Sequence, residues 1–311
     1  LRLGHVHTPA GPRLFAEDDG VRLVVPDALP GAPATLDELV RSPEDWLDRI
    51  EAALADGGGA RPIGGGARSD GAAPAPDGTR TLSPLLTPSS VLAIGLNYAD
   101  HCREFGTTPP DTPVIFTKAP QSVLGDGDAI TWSTDITDAV DWEAELGVVI
   151  GRRTRNVSVA EALDAVFGYT VVNDVTARDI QKAEAQWVRA KSLDTFCPMG
   201  PVIVPAREIP DPQALAIRSR LNGQVMQDSS TAEMIFPVAE LISYLSASLT
   251  LVPGDVIATG TPLGVGAFRT PPVFLRDGDT IEVEIERIGT LTNTCRTLAA
   301  VPTTSTTKEQ A

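Results

Sequence analysis

Apolar residues recur along this chain at two spacings. Alternation, or an unbroken apolar run of about four to eight residues, marks a strand, whereas recurrence every third or fourth position marks a helix. The first pattern predicts strands at Arg22–Val25, Val91–Leu96, Val114–Thr117, Trp142–Ile150, Phe167–Asn173, Gly200–Val204, Ala216–Leu221, Val256–Thr259 and Thr280–Ile285. Turn dipeptides punctuate them at Asp126-Gly127, Asn222-Gly223, Pro253-Gly254 and Asp277-Gly278. The second pattern predicts helix over Thr35–Ala55, with Leu36, Leu39, Val40, Trp46, Ile50 and Leu54 on one face and Pro43 at a break or a helix start. Shorter helices are expected at Tyr98–Phe105, Val159–Ala165, Arg178–Ala185 and Pro237–Ser246. Many short strands and few long helices imply an α+β, β-dominated fold with a rolled or barrel-like sheet.

A Gly/Ala/Pro-rich stretch at about 56–80 has almost no apolar periodicity and is expected to be a linker. It divides a small N-terminal unit (1–82) from a larger domain (83–300), and a polar, fraying tail (301–311) follows.

Composition narrows the function classes. With 42% hydrophobic residues in a chain of 311, a substantial core is available. The net charge of −16 argues against a nucleic-acid or acidic-membrane partner, which needs clustered basic side chains. Cys102, Cys197 and Cys295 are odd in number and widely spaced, so neither a disulfide scaffold nor a zinc knuckle is expected; a reducing, cytoplasmic setting fits. No apolar run approaches a membrane span, and Leu1–Gly20 shows no signal-peptide core.

Candidate chemistry begins at Asp141-Trp142-Glu143-Ala144-Glu145-Leu146. On a strand, Glu143 and Glu145 would project side by side, a repulsion that a hard divalent cation relieves; a solvated strand face gives the same pattern. Asp174, at the end of a buried-looking strand, can complete a three-carboxylate set or instead cap the following helix. His101 and Glu104 share a helix face, as a polarised base pair or as a surface ion pair. The loop after the Val256–Thr259 strand, Gly260-Thr261-Pro262-Leu263-Gly264, can hold a carboxylate or an oxyanion with amides and hydroxyls, or be a tight structural turn.

Six strings, in order, resemble the fumarylacetoacetate hydrolase family: Ile94–Gly106, Asp141–Gly151, Gly168–Gln181, Lys191–Pro201, Leu221–Phe236 and Pro253–Gly266. The resemblance implies that Glu143, Glu145 and Asp174 bind Mg²⁺ or Mn²⁺, and that His101 and Glu104 activate water or move protons. It further implies that Lys191 stands by the substrate's oxo oxygen and that Arg178, Gln181, Gly260 and Thr261 contact substrate. The implied fold is a rolled mixed sheet with a small, variable N-terminal domain, in a homodimer. The implied substrate is a small 2-oxo acid. C–C bond hydrolysis of an acylpyruvate through a metal-stabilised enolate ranks first, isomerisation or decarboxylation of a 2-oxo or hydroxymuconate-type diacid in aromatic catabolism second, and non-catalytic binding last. The stretch between Arg178 and Lys191 is compact beside relatives that carry an insertion there, which leaves pocket shape and substrate size open.

Overall fold

A computed structural model describes residues 1–42, 45–56 and 80–299. The expected linker, apart from its two end residues, and the expected tail lie outside the described residues, as does Pro43.

Among the described residues, a mixed eleven-stranded sheet forms the backbone of the molecule. Its main path runs from Val21–Val24 through Gly11–Asp18, Arg2–Thr8, Cys197–Pro205, Val166–Asn173, Ala144–Ile150, Val256–Ala258 and Val91–Gly95 to Val114–Lys118. Most neighbours are antiparallel, but Val256–Ala258 runs parallel to Val91–Gly95. A five-stranded sheet packs against it, ordered Gln224–Ser230, Ala216–Leu221, Thr280–Ile285, Gly289–Leu298 and Ala129–Ser133. The fold is therefore strand-dominated α+β, in line with the periodicity.

Period-two alternation sorts side chains between two cores. From adjacent strands, Leu146, Val148, Tyr169 and Val171 face one way, into a core shared with Ile217, Val283 and Leu291 of the second sheet and Leu241 and Leu245 of the Val238–Ser248 helix. Val149, Phe167 and Val172 face the other way, onto Leu3, Leu14, Leu36, Leu39 and Ile50 from the N-terminal part of the chain. The predicted Thr35–Ala55 helix is two helices, Leu36–Arg41 and Trp46–Ala55.

Three differences from the periodicity matter. The hairpin Arg2–Thr8/Gly11–Asp18 was not expected, and it joins the main sheet where Leu3 pairs with Ile203. The predicted Trp142–Ile150 strand begins only at Ala144, because Val140–Asp141 turns aside to pair with Thr176–Ala177. That same short pairing delays the next helix to Arg178–Ala183, so Asp174 lies too far upstream to cap it.

Candidate metal centre and its cavity

The carboxylates meet where the two central strands end. Ala144 pairs with Asn173, which brings Asp174 beside Glu143. Two hydrogen bonds lock this junction: the Glu143 amide donates to Asn173 Oδ1 at 3.1 Å, and the Asp174 amide donates to the Glu143 carbonyl at 2.9 Å. Glu145, Glu143 and Asp174 are 1%, 6% and 0% exposed. One oxygen from each lies within 4.8 Å of the others. The expected trio is thus brought together.

Buried cations hold two of the three. Lys191 Nζ bridges Glu143 Oε2 at 2.8 Å and Asp174 Oδ2 at 2.7 Å. Arg178 pairs with Glu143 Oε1 at 2.7 Å and with Asp141 Oδ2 at 2.8 Å. Lys118 Nζ donates to Asp174 Oδ1 at 2.5 Å, to the Val175 carbonyl at 3.3 Å and to the Lys191 carbonyl. Burial would raise the Glu143 carboxyl, but Lys191 and Arg178 outweigh it and bring the group down to about 2. Burial would likewise lower the Lys191 ammonium, yet Asp174 and Glu143 hold it above its ordinary range.

Glu145 is different. It accepts the Gly260 amide at 3.0 Å, but among the described residues no Lys, Arg or His forms an ion pair with it. Burial first, then Asp174 and Glu143, push its carboxyl well above the usual carboxylate range. Three converging oxygens with one buried carboxylate lacking a positive partner are a donor set suited to a hard divalent cation. The residues present fit such an ion.

The remaining expected residues surround a cavity of about 810 Å³. His101, Glu143, Arg178, Gln181, Lys191 and Thr261 line it. His101, on the Ala99–Phe105 helix, meets Glu104 Oε2 through Nδ1 at 3.2 Å. Glu104 is itself fixed by the Gly264 amide at 3.0 Å. Gln181 accepts from Arg178 at 3.0 Å, and Thr261 accepts from Gln227 Nε2 at 2.8 Å. Gly260 is not on the cavity wall: its amide goes to Glu145. Its φ of +96° and the 2.8 Å that would separate a Cβ from Asn97 Cβ explain why glycine stands there.

Sequence reasoning missed Lys118, Asp141 and Gln227. Asp141 accepts the Gly266 and Ala267 amides at 2.7 and 3.0 Å while holding Arg178, so it ties the Arg178 helix to the loop beyond Gly264. Gln227 does the same between strands, accepting the Ala144 amide at 3.0 Å and donating to Thr261. Asp141 and Gln227 lay inside motif strings, but nothing local signalled Lys118.

Comparison with known proteins agrees with this architecture. Residues 90–296 match the family model "Fumarylacetoacetate (FAA) hydrolase C-terminal". The mitochondrial oxaloacetate tautomerase FAHD2A of Bos taurus is 40% identical over 299 residues, covering 94% of this chain and 91% of that protein. The fumarylacetoacetate hydrolase of Exiguobacterium antarcticum superposes with a TM-score of 0.81 at 38% identity, over 96% of this chain and 99% of that one. A maleylpyruvate hydrolase of Sphingobium sp. SYK-6, solved with manganese(II) and pyruvate, superposes at 0.76 with 28% identity, over 96% of this chain and 100% of that one. With its carboxylate trio set at the strand ends of a matching fold, the chain belongs to the fumarylacetoacetate hydrolase family of enzymes.

Proposed function

We propose that this enzyme interconverts the enol and keto forms of a 2-oxo acid with the help of Mg²⁺ or Mn²⁺. The observation that carries the reading is the convergence of the Glu143, Glu145 and Asp174 carboxylates on one another, with Glu143 facing a cavity that Lys191 and His101 also line. Its near relative over almost the whole chain is an oxaloacetate tautomerase, which favours proton transfer over the C–C hydrolysis that the sequence alone ranked first. When bound by the three carboxylates, the cation supplies Lewis-acid polarisation of a 2-oxo acid's adjacent oxygens.

The protein's own groups do the rest. Lys191 keeps a fixed ammonium beside the carboxylates, where negative charge grows on the substrate's 2-oxygen as a proton leaves carbon. The imidazole of His101, oriented through Nδ1 by Glu104, takes that proton and returns it. Burial of the trio keeps bulk water from competing for the charge. The three thiols are free and buried, in keeping with a reducing compartment, and we include homodimer assembly in the same reading.

The test follows the decay of enol-oxaloacetate absorbance with EDTA-stripped protein, before and after adding Mg²⁺ or Mn²⁺. Metal-dependent acceleration supports the reading; an unchanged rate sinks it. A second reading, hydrolysis of an acylpyruvate, is favoured by the tethered His101–Glu104 pair, which also suits water activation. Metal-dependent release of pyruvate and acetate from acetylpyruvate identifies it.

A further inference from the structure

The proposed chemistry uses one end of the cavity and leaves the rest of its wall without a role. Much of that wall is apolar, formed by Ile94, Leu96, Phe116, Trp187, Phe268 and Phe274, with Asp179, Gln181 and Lys182 as its polar part. The aromatic rings start at the reacting groups. Lys191 Nζ stands 5.1 Å from the centroid of Phe116, and Phe116 meets Trp187 edge to face at 5.4 Å. On the other side, Phe268 lies 5.6 Å from the His101 ring and 5.7 Å from Arg178 Cζ. Trp187 rests on Gly95, where a Cβ would come within 2.7 Å of the indole, so glycine lets the ring seat against the Val91–Gly95 strand.

The charges on this wall do not suit a second carboxylate. Arg178 and Lys191 are each committed to two carboxylates. Lys182 is exposed, and Asp179 lines the same rim with opposite charge. A distal carboxylate would lose water here without gaining a buried cation, whereas an apolar group would gain several aromatic faces. A cavity of about 810 Å³ also leaves room well beyond a four-carbon diacid.

We infer that the preferred substrate is a 2-oxo acid whose chain ends in an apolar, aromatic-sized group, with Phe116, Trp187 and Phe268 selecting it. This rests on the 2-oxo acid reading above and specifies its substrate class.

Inert oxamates, in which an amide replaces the ketone, separate binding from turnover. The full chain loaded with Mn²⁺ is titrated calorimetrically with N-methyloxamate, N-oxalylglycine and N-benzyloxamate. The benzyl ligand is expected to bind at least about tenfold tighter than the carboxylate-tailed one, as burial of one ring predicts. Trp187→Ala and, separately, Phe116→Leu are expected to shrink that ratio by about fivefold or more. Equal or tighter binding of N-oxalylglycine overturns the inference and leaves the 2-oxo acid reading standing. An undiminished ratio in both variants overturns it too, because the ring then sits elsewhere. Failure of all three ligands to bind overturns the head-group reading and this inference with it.

Discussion

The two ends of the cavity are built on opposite principles. At the carboxylate end, every charged group but one is held by two or more partners: Lys191 by Glu143 and Asp174, Arg178 by Glu143 and Asp141, Asp174 by Lys118 and Lys191. Its backbone is pinned as well, since the strand register and the Asn173 side chain set Glu143 against Asp174. At the aromatic end the side chains meet through ring contacts, from residues on separate segments: Phe116 on a strand, Trp187 between two short helices, and Phe268 at the end of a single turn. A network of charges in low dielectric fails as a unit when one member goes. Stacked rings lose affinity in increments. The first end can therefore set a reaction while the second is free to set what enters it.

Substitutions at the two ends should differ accordingly. The largest effect is expected at the carboxylate left without a cation. Glu145→Ala should cost metal-dependent turnover about a thousandfold or more, corresponding to several kcal/mol of lost Lewis-acid stabilisation, as read from kcat/KM across a Mn²⁺ titration. Turnover within tenfold of the parent would remove Glu145 from the metal site. Next comes Lys118→Met, which strands Asp174 Oδ1 and two buried carbonyls. It should destabilise the fold by about 3–5 kcal/mol, measured by urea unfolding.

A smaller effect, up to about tenfold per pH unit, belongs to metal uptake. Because the folded Glu145 carboxyl titrates well above its ordinary value, the metal-free fold holds a proton that the unfolded chain has already released. For this group the stability of the metal-free protein falls as pH rises from the usual carboxylate range toward the raised value. Metal binding must expel that proton, so apparent affinity rises with pH over the same window. Calorimetry in two buffers of different ionisation enthalpy should report proton release just above the usual carboxylate range; none there would contradict the raised Glu145 carboxyl. The smallest change is expected at the aromatic end. Gly95→Ala pushes the Trp187 ring and should weaken N-benzyloxamate by about threefold to tenfold, with little change for N-methyloxamate.

Much of this was legible in the sequence, for reasons that particular residues make plain. The bounds of Ala216–Leu221 and Thr280–Ile285 matched to the residue: the second alternates strictly, and in the first Ile217, Ser219 and Leu221 share the buried face. Asn222-Gly223, both at positive φ, make the hairpin turn that the dipeptide announces. The strand that follows, Gln224–Ser230, was missed because its polar side chains give no periodic signal. Gly289–Leu298 hides for the same reason, with threonines and Asn293 between its apolar residues. Of the candidate site, the trio was visible because adjacent like charges are costly unless something compensates them. Lys118 was not, since a lysine ending the run Val114–Lys118 looks like a solvated strand end. Only its packing beneath Asp174 and the Lys191 carbonyl makes it a buried cation, and no local pattern encodes that.

The N-terminal hairpin has a consequence for what the margin of the main sheet exposes. Cys197–Pro205 is a nine-residue strand, buried throughout, and Arg2–Thr8 lies along one of its sides. Bare, such a side would offer unpaired amides and carbonyls to the same strand of another chain. Two further hairpin steps move the sheet margin outward to Val21–Val24, four residues long, where Arg22 and Glu17 form an ion pair. The first two dozen residues thus exchange a long, adhesive margin for a short, charged one, and protect the strand beside the one that leads to Asp174 from fibrillar association.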